Sequence, residues 1–222
     1  MELYFIRHGQ TQYNLEQRFQ GGGCDSPLLA SGVLGAQQAG DYLKTTHFAK
    51  VYSSPQLRAL NTAKYVVAPN QWHPEINLDA RLKEMDFGRW EGQVESTAEP
   101  RDQYDICVEQ PEKYRPELAA GGEDYPEFLA RVTAAVHDAV ASVGTDSPDP
   151  VLIVSHGLTT TFGIKALMGV PIKALRQPFV VDGRALNQHG AGIVDNDSLT
   201  ILETTDNQRF TIKVWNETSY LH

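Results

Sequence analysis

Two four-residue apolar runs in the chain end alike. Leu3-Tyr4-Phe5-Ile6 passes into Arg7, His8 and Gly9, and Val151-Leu152-Ile153-Val154 passes into Ser155, His156 and Gly157. A short bulky run closed by a glycine predicts a buried strand that leaves its sheet through a loop. The same reading gives strands over 3–6, 50–53, 151–155, 198–203 and 209–215, the last two flanking a "TTDNQ" turn. Helices are predicted over 31–45, over 55–67 with Pro55 suited to the first helical position, and over about 126–143. In the last of these, Phe128, Val132, Val136 and Val140 form a stripe spaced by four. A shorter helix over 158–168 ends at Gly169. Strands alternating with helices predict an α/β three-layer sandwich, a mostly parallel central sheet flanked by helices. Residues 93–124 are polar, acidic and proline-punctuated without a clear period, and read as a lid-like insert.

Sheets of this kind bind ligands at the carboxyl ends of their strands. Two parallel strands ending in the same order place His8 and His156 at one edge. The strand "KVYSS" reaches that edge too, and "PQLRALNTA" after it puts Arg58 in the first turn of a helix, where free N–H groups favour an anion. Arg7, His8, Arg58 and His156 are thereby expected to converge.

Composition narrows what such a cluster can do. The 222 residues suit one domain spanning 1–222, with the insert at about 93–124 inside it. No run approaches the roughly 20 apolar residues that span a bilayer, and the N-terminus enters a strand with no export signal, so a cytoplasmic protein is expected. Cys24 and Cys107 show no CxxC spacing and are expected as reduced thiols. A formal net charge of -9 argues against broad nucleic-acid binding, so a positive field for an anion must be local.

Other chemistries lack their signatures. There is no HExxH zinc spacing, no GxxxxGK[ST] or helix-opening GxGxxG, and no GxSxG nucleophile elbow. Gly22 and Gly23 of the Gly21-Gly22-Gly23 run read as a flexible turn. His47, His73, His137, His189 and His222 are scattered singly and read as surface or structural residues. The expected cluster suits phosphoryl chemistry. Arginine forks match phosphate oxygens, and a neutral imidazole kept unprotonated by neighbouring cations can attack phosphorus. The leaving alkoxide then needs an acid. "ARLKEMDFGRWEGQ" offers Glu84, Asp86 and Glu91, and spacing does not choose among them.

With those residues assembled, the sequence resembles the histidine phosphatase superfamily, in its phosphoglycerate mutase-like branch. "RHGQTQYNLEQRFQG" is similar to that branch's opening signature, RHGxTxxN and a loop ending in glycine, and "SSPQLRALNTA", "LKEMDFGRWEG" and "VSHG" match its later motifs in order. The resemblance implies His8 as the nucleophile that becomes phosphorylated, Arg7, Arg58 and His156 as phosphoryl ligands, and Glu84 as proton donor. It also implies substrate contacts at Asn14, Gln20, Gly21 and Gly157, and neither metal nor cofactor. The mutases of that branch carry "NERHYG" where this chain reads "LKEMDFG", followed by adjacent arginines that this chain lacks. The expectation is therefore a phosphatase acting on a small phosphorylated substrate, with phosphoglycerate mutase and a non-catalytic phospho-ligand binding module as the alternatives. The partner expected is that substrate, with no nucleic acid or membrane and a possible homo-oligomer. The nine carboxylates of the insert are expected to repel a carboxylate-bearing phosphoglycerate unless Arg101, Lys113 or Arg115 turns inward.

Overall fold

The computed structural model describes residues 1–181, 183–186 and 192–222. Along the chain run β1 (Glu2–Arg7), α1 (Gln12–Leu15), α2 (Ala30–Leu43), β2 (Lys50–Ser53), α3 (Leu57–Val67) and β3 (Ile76–Leu78). They are followed by α4 (Arg101–Glu109), α5 (Tyr125–Ala141), β4 (Val151–Ser155) and α6 (Gly157–Leu167). A small hairpin of β5 (Val180–Val181) and β6 (Arg184–Ala185), then β7 (Leu199–Glu203) and β8 (Thr211–Glu217), complete the order. Six strands form one sheet in the order β3-β2-β4-β1-β7-β8. The first four are mutually parallel, and β7 runs antiparallel to both β1 and β8.

The sheet divides its apolar side chains by parity. Leu3, Phe5, Val151 and Ile153 face one way, and pack with Val136 and Val140 of α5 and Ile164 of α6. Ile6, Leu152 and Val154 face the other way, against Ala39 and Leu43 of α2 and Ala63 and Val66 of α3. All five residues of β4 are buried, as a strand covered on both faces requires. The stripe on α5 lies wholly inside, with Phe128 and Val140 at 0% exposure. Among the described residues no helix is long and apolar enough to cross a membrane.

Three local expectations change. Pro55 does not open α3. Gln56 stays extended at the N-cap, because its amide bridges the carbonyls of Gly21 and Cys24 while its Oε1 takes the Glu84 N–H. β3 escaped the pattern because it is a three-residue edge strand with two exposed side chains. The insert is also more ordered than a loose lid. It contains α4, and it buries Ala98, Cys107, Tyr114, Ala119 and Ala120 in a cluster with Trp90 and Phe128.

Candidate active site

The register Arg7↔Ser155 brings the ends of β1 and β4 level, and the His8 N–H donates to the Ser155 carbonyl at 2.9 Å. Beyond β2 the Ser54 N–H donates to the Val154 carbonyl at 3.0 Å. Three neighbouring strand ends therefore deliver Arg7, His8, Ser54 and His156 to one edge. The two imidazoles meet edge to face, with ring centroids 5.2 Å apart.

Their protons can be placed from their partners. His8 Nδ1 lies 2.8 Å from the Gly9 carbonyl, which can only accept, so Nδ1 carries the hydrogen and Nε2 keeps its lone pair. Burial, then Arg58 and Arg7, hold its pKa well below 6.5, leaving a neutral nucleophile. His156 Nε2 contacts Ser54 Oγ at 2.8 Å, and that oxygen already accepts the Gln56 N–H. Among the described residues the Ser54 hydroxyl has no other acceptor for its own proton, so donation to Nε2 satisfies it and the His156 ring proton then sits on Nδ1. Burial, then Arg58, His8 and Arg7, also push the His156 pKa well below 6.5.

Arg58 is 1% exposed and spends four hydrogen bonds on the loop that follows α1, reaching the carbonyls of Gln20, Gly21 and Cys24 and the Asp25 carboxylate. Asp25 Oδ2 also accepts the Leu57 N–H at 2.5 Å, so the anion at the start of α3 is supplied by the chain itself. Arg7 donates to the Val194 carbonyl at 2.7 Å. After these contacts, Arg7 Nε, Arg58 Nε, His156 Nδ1 and Gln20 Nε2 remain buried with no partner among the described residues.

A cavity of about 340 Å³ opens beside His8, lined by Arg7, Asn14, Gln20, Glu84, Gly157 and others. Arg58 and His156 are buried next to His8 and are not among the residues that line the cavity. Asn14 Oδ1 accepts from Thr11, and Gln20 Oε1 accepts from the hydroxyls of Thr11 and Ser26, which leaves both amide nitrogens without a hydrogen-bond partner among the described residues. Gly157 must be small: a Cβ there would lie 3.3 Å from the Arg7 guanidinium carbon and 2.9 Å from Ile193. Gly21 does not line the cavity. It is held by Arg58, Gln56 and Glu91, and a Cβ would sit 2.1 Å from the Met85 carbonyl oxygen. Gly22 likewise closes a tight contact, its N–H bonded to the Met85 carbonyl, where a flexible turn was expected.

The three candidate acids separate by place. Glu91 ties down the loop, accepting from the N–H groups of Gly21, Gly23 and Phe87 and from the Cys24 thiol. Asp86 lies outside this cavity and accepts the Gly88 N–H. Glu84 lines it and caps α6: Oε1 accepts from Met85 N and from Thr159 N and Oγ1, and Oε2 from Leu158 N alone. Oε2 is the oxygen with room for a proton.

Sequence reasoning missed the supports and two arginines. Asn196 Nδ2 donates to the His8 carbonyl, and Arg131 clamps the Glu84 carbonyl at 3.0 Å. Arg18 and Arg176 line the cavity, whereas Arg101, Lys113 and Arg115 do not. Of the insert's carboxylates only Glu95 lines it, because α4 turns Tyr104, Cys107 and Val108 inward and leaves Asp102 and Glu109 exposed. Arg7, Arg18 and Arg176 against Glu84 and Glu95 give the cavity lining a net positive formal charge, and the other carboxylates of the insert do not line it. The reading of His189 lies outside the described residues.

Known proteins share this arrangement of chain. The probable phosphoglycerate mutase GpmB of Citrobacter koseri is 31% identical over 185 residues, covering 80% of this chain and 79% of its own. The structure of Bacillus stearothermophilus YhfR superposes with a TM-score of 0.82 at 29% identity, covering 100% of this chain and 99% of its own. A mycobacterial glucosyl-3-phosphoglycerate phosphatase, solved with VO3, gives a TM-score of 0.77 at 28% identity, covering 97% of this chain and 98% of its own. The model of the histidine phosphatase superfamily (branch 1) matches residues 3–218, and the chain belongs to that family.

Proposed function

We propose that this protein is a phosphatase that hydrolyses a small phosphate monoester through a phosphohistidine on His8. The observation that carries the reading is the set of buried donors beside a neutral histidine that have no partner among the described residues: Arg7 Nε, Arg58 Nε, His156 Nδ1 and Gln20 Nε2. Leaving such donors unpaired is costly, and a dianionic phosphoryl group satisfies them together.

The steps follow from the placement of each side chain. His8 Nε2 attacks phosphorus, and a P–N bond forms as the P–O bond to the leaving group breaks. The leaving oxygen takes a proton from Glu84 Oε2. Water then attacks the phosphohistidine while Glu84 accepts its proton, the P–N bond breaks, and inorganic phosphate departs. Arg7, Arg58 and the Nδ1–H of His156 hold the equatorial oxygens, whose charge grows as the bonds exchange. The similarity to the mycobacterial phosphatase supports water as acceptor.

The rival is a mutase, in which a second hydroxyl of the substrate takes the phosphoryl group. Supplying 3-phosphoglycerate with a trace of 2,3-bisphosphoglycerate, and screening a panel of phosphate monoesters beside it, separates the two. Phosphate release should exceed interconversion of the phosphoglycerates. Interconversion outpacing phosphate release on every substrate overturns the phosphatase reading.

A further inference from the structure

The arginines around the site fall into two kinds. Arg131 uses all three nitrogens, bonding Glu123 and the carbonyls of Arg81, Lys83 and Glu84, and Arg58 spends both terminal nitrogens on the loop it holds. Arg18 is paired with Glu16 and donates to the Gly92 carbonyl. Arg176 differs. Its Nε and Nη2 both go to one phenol oxygen, that of Tyr125, at 3.2 and 2.8 Å, and its guanidinium lies 5.1 Å from the Phe162 ring centroid. Among the described residues Arg176 forms no ion pair and bonds no carbonyl, its remaining neighbours being the Cys107 thiol and, at longer range, the Glu95 carboxylate. This half-buried guanidinium faces the cavity that His8 faces.

A purely structural arginine is normally anchored by carbonyls or carboxylates that compensate its desolvation. Here a phenol, itself committed as donor to the Cys107 carbonyl, and an aromatic face orient the fork, and among the described residues no carboxylate or carbonyl is bonded to it. Glu95 is the one insert carboxylate on the cavity wall, and it too stops short of an ion pair with Arg176. Phe19, Phe87, Leu158 and Ile193 supply apolar walls to the same cavity. From this we infer that Arg176 is a second anion-binding subsite, and that the substrate is a phosphate monoester carrying a further anionic group on a short, partly apolar body. The orientation, with the ester at His8 and the second anion at Arg176, rests on the phosphatase reading.

The test uses a series of ω-hydroxycarboxylic acid phosphates of increasing chain length, each matched with the alkyl phosphate lacking the carboxylate. Binding is measured by calorimetry on His8→Ala protein, which does not turn over, and again with Arg176→Gln added. One chain length should bind about tenfold or more tightly than its match lacking the carboxylate, as a charge-assisted contact gives, and Arg176→Gln should remove that preference. A ratio below about tenfold at every length overturns the proposal, and this arm decides even if the glutamine variant fails to fold. A preference that survives Arg176→Gln overturns it as well. Phosphate release by the unmodified enzyme is assayed separately, so a failed phosphatase reading and a failed second subsite give different results.

Discussion

Replacing Glu84 by glutamine separates chemistry from scaffolding, because the structure assigns this carboxylate both duties. An amide offers one acceptor oxygen. Placed as Oε1 it keeps the bonds from Met85 and Thr159, but its NH₂ then confronts the Leu158 N–H that now bonds Oε2 at 2.9 Å. One orphaned buried donor costs about 1–3 kcal/mol of stability. The catalytic loss should be larger and selective. Proton donation to a leaving alkoxide is worth about 10²–10⁴-fold, or about 2.7–5.4 kcal/mol of barrier. A nitrophenolate needs little such help. The assay is kcat/KM for glycerol 3-phosphate and for 4-nitrophenyl phosphate, with unfolding midpoints measured in parallel. Glu84→Gln should lower the first by at least about 10²-fold and the second by less than about tenfold. Equal losses on both would refute proton donation and leave Glu84 as a cap that positions α6.

Three further outcomes are expected. Burial raises the Asp197 carboxyl to about 8, so between its unfolded value near 4 and pH 8 the folded chain holds a proton the unfolded chain has released, and stability falls as pH rises. Asp197→Asn should therefore gain about 2–3 kcal/mol relative to the parent on going from pH 6 to 8.5 in urea unfolding, and a pH-independent difference would contradict the assignment. Nitrogen NMR of His8 should show Nε2 unprotonated from pH 8 down through its reference value of 6.5, since burial and then Arg58 and Arg7 disfavour the cation, whereas a midpoint between 6 and 7 would not fit. Gly21→Ala places a Cβ against the Met85 backbone and should cost about 1–3 kcal/mol in thermal or urea unfolding, while a neutral effect would mean the loop yields freely.

How much of this was legible in the chain depended on whether a residue's role is set by its own neighbours in sequence. The apolar runs ending in His8 and His156 announced two strands, and a shared sheet made their alignment follow. The helical stripe on α5 was equally plain. Arg176, by contrast, lies after a one-turn 3-10 segment in a stretch without periodicity, and only the fold carries it to the cavity that Arg7 enters from β1. The insert misled because composition counts charges without saying which way they face: α4 turns its acids outward and Tyr104 and Cys107 inward. The choice among Glu84, Asp86 and Glu91 was likewise unreadable from spacing, since it rests on which carboxylate meets the start of α6 across more than seventy residues of chain.

The central claim is a covalent bond between phosphorus and His8, and it can be seen directly. Protein mixed with excess substrate is quenched within the first turnovers under alkaline conditions that preserve phosphohistidine, then digested and sequenced by mass spectrometry. The phosphoryl group should be found on the peptide carrying Arg7-His8-Gly9, at His8, and should be missing from His8→Ala protein, in which turnover is lost. Phosphate trapped on His156 or any other residue, or full turnover by His8→Ala, would contradict the account.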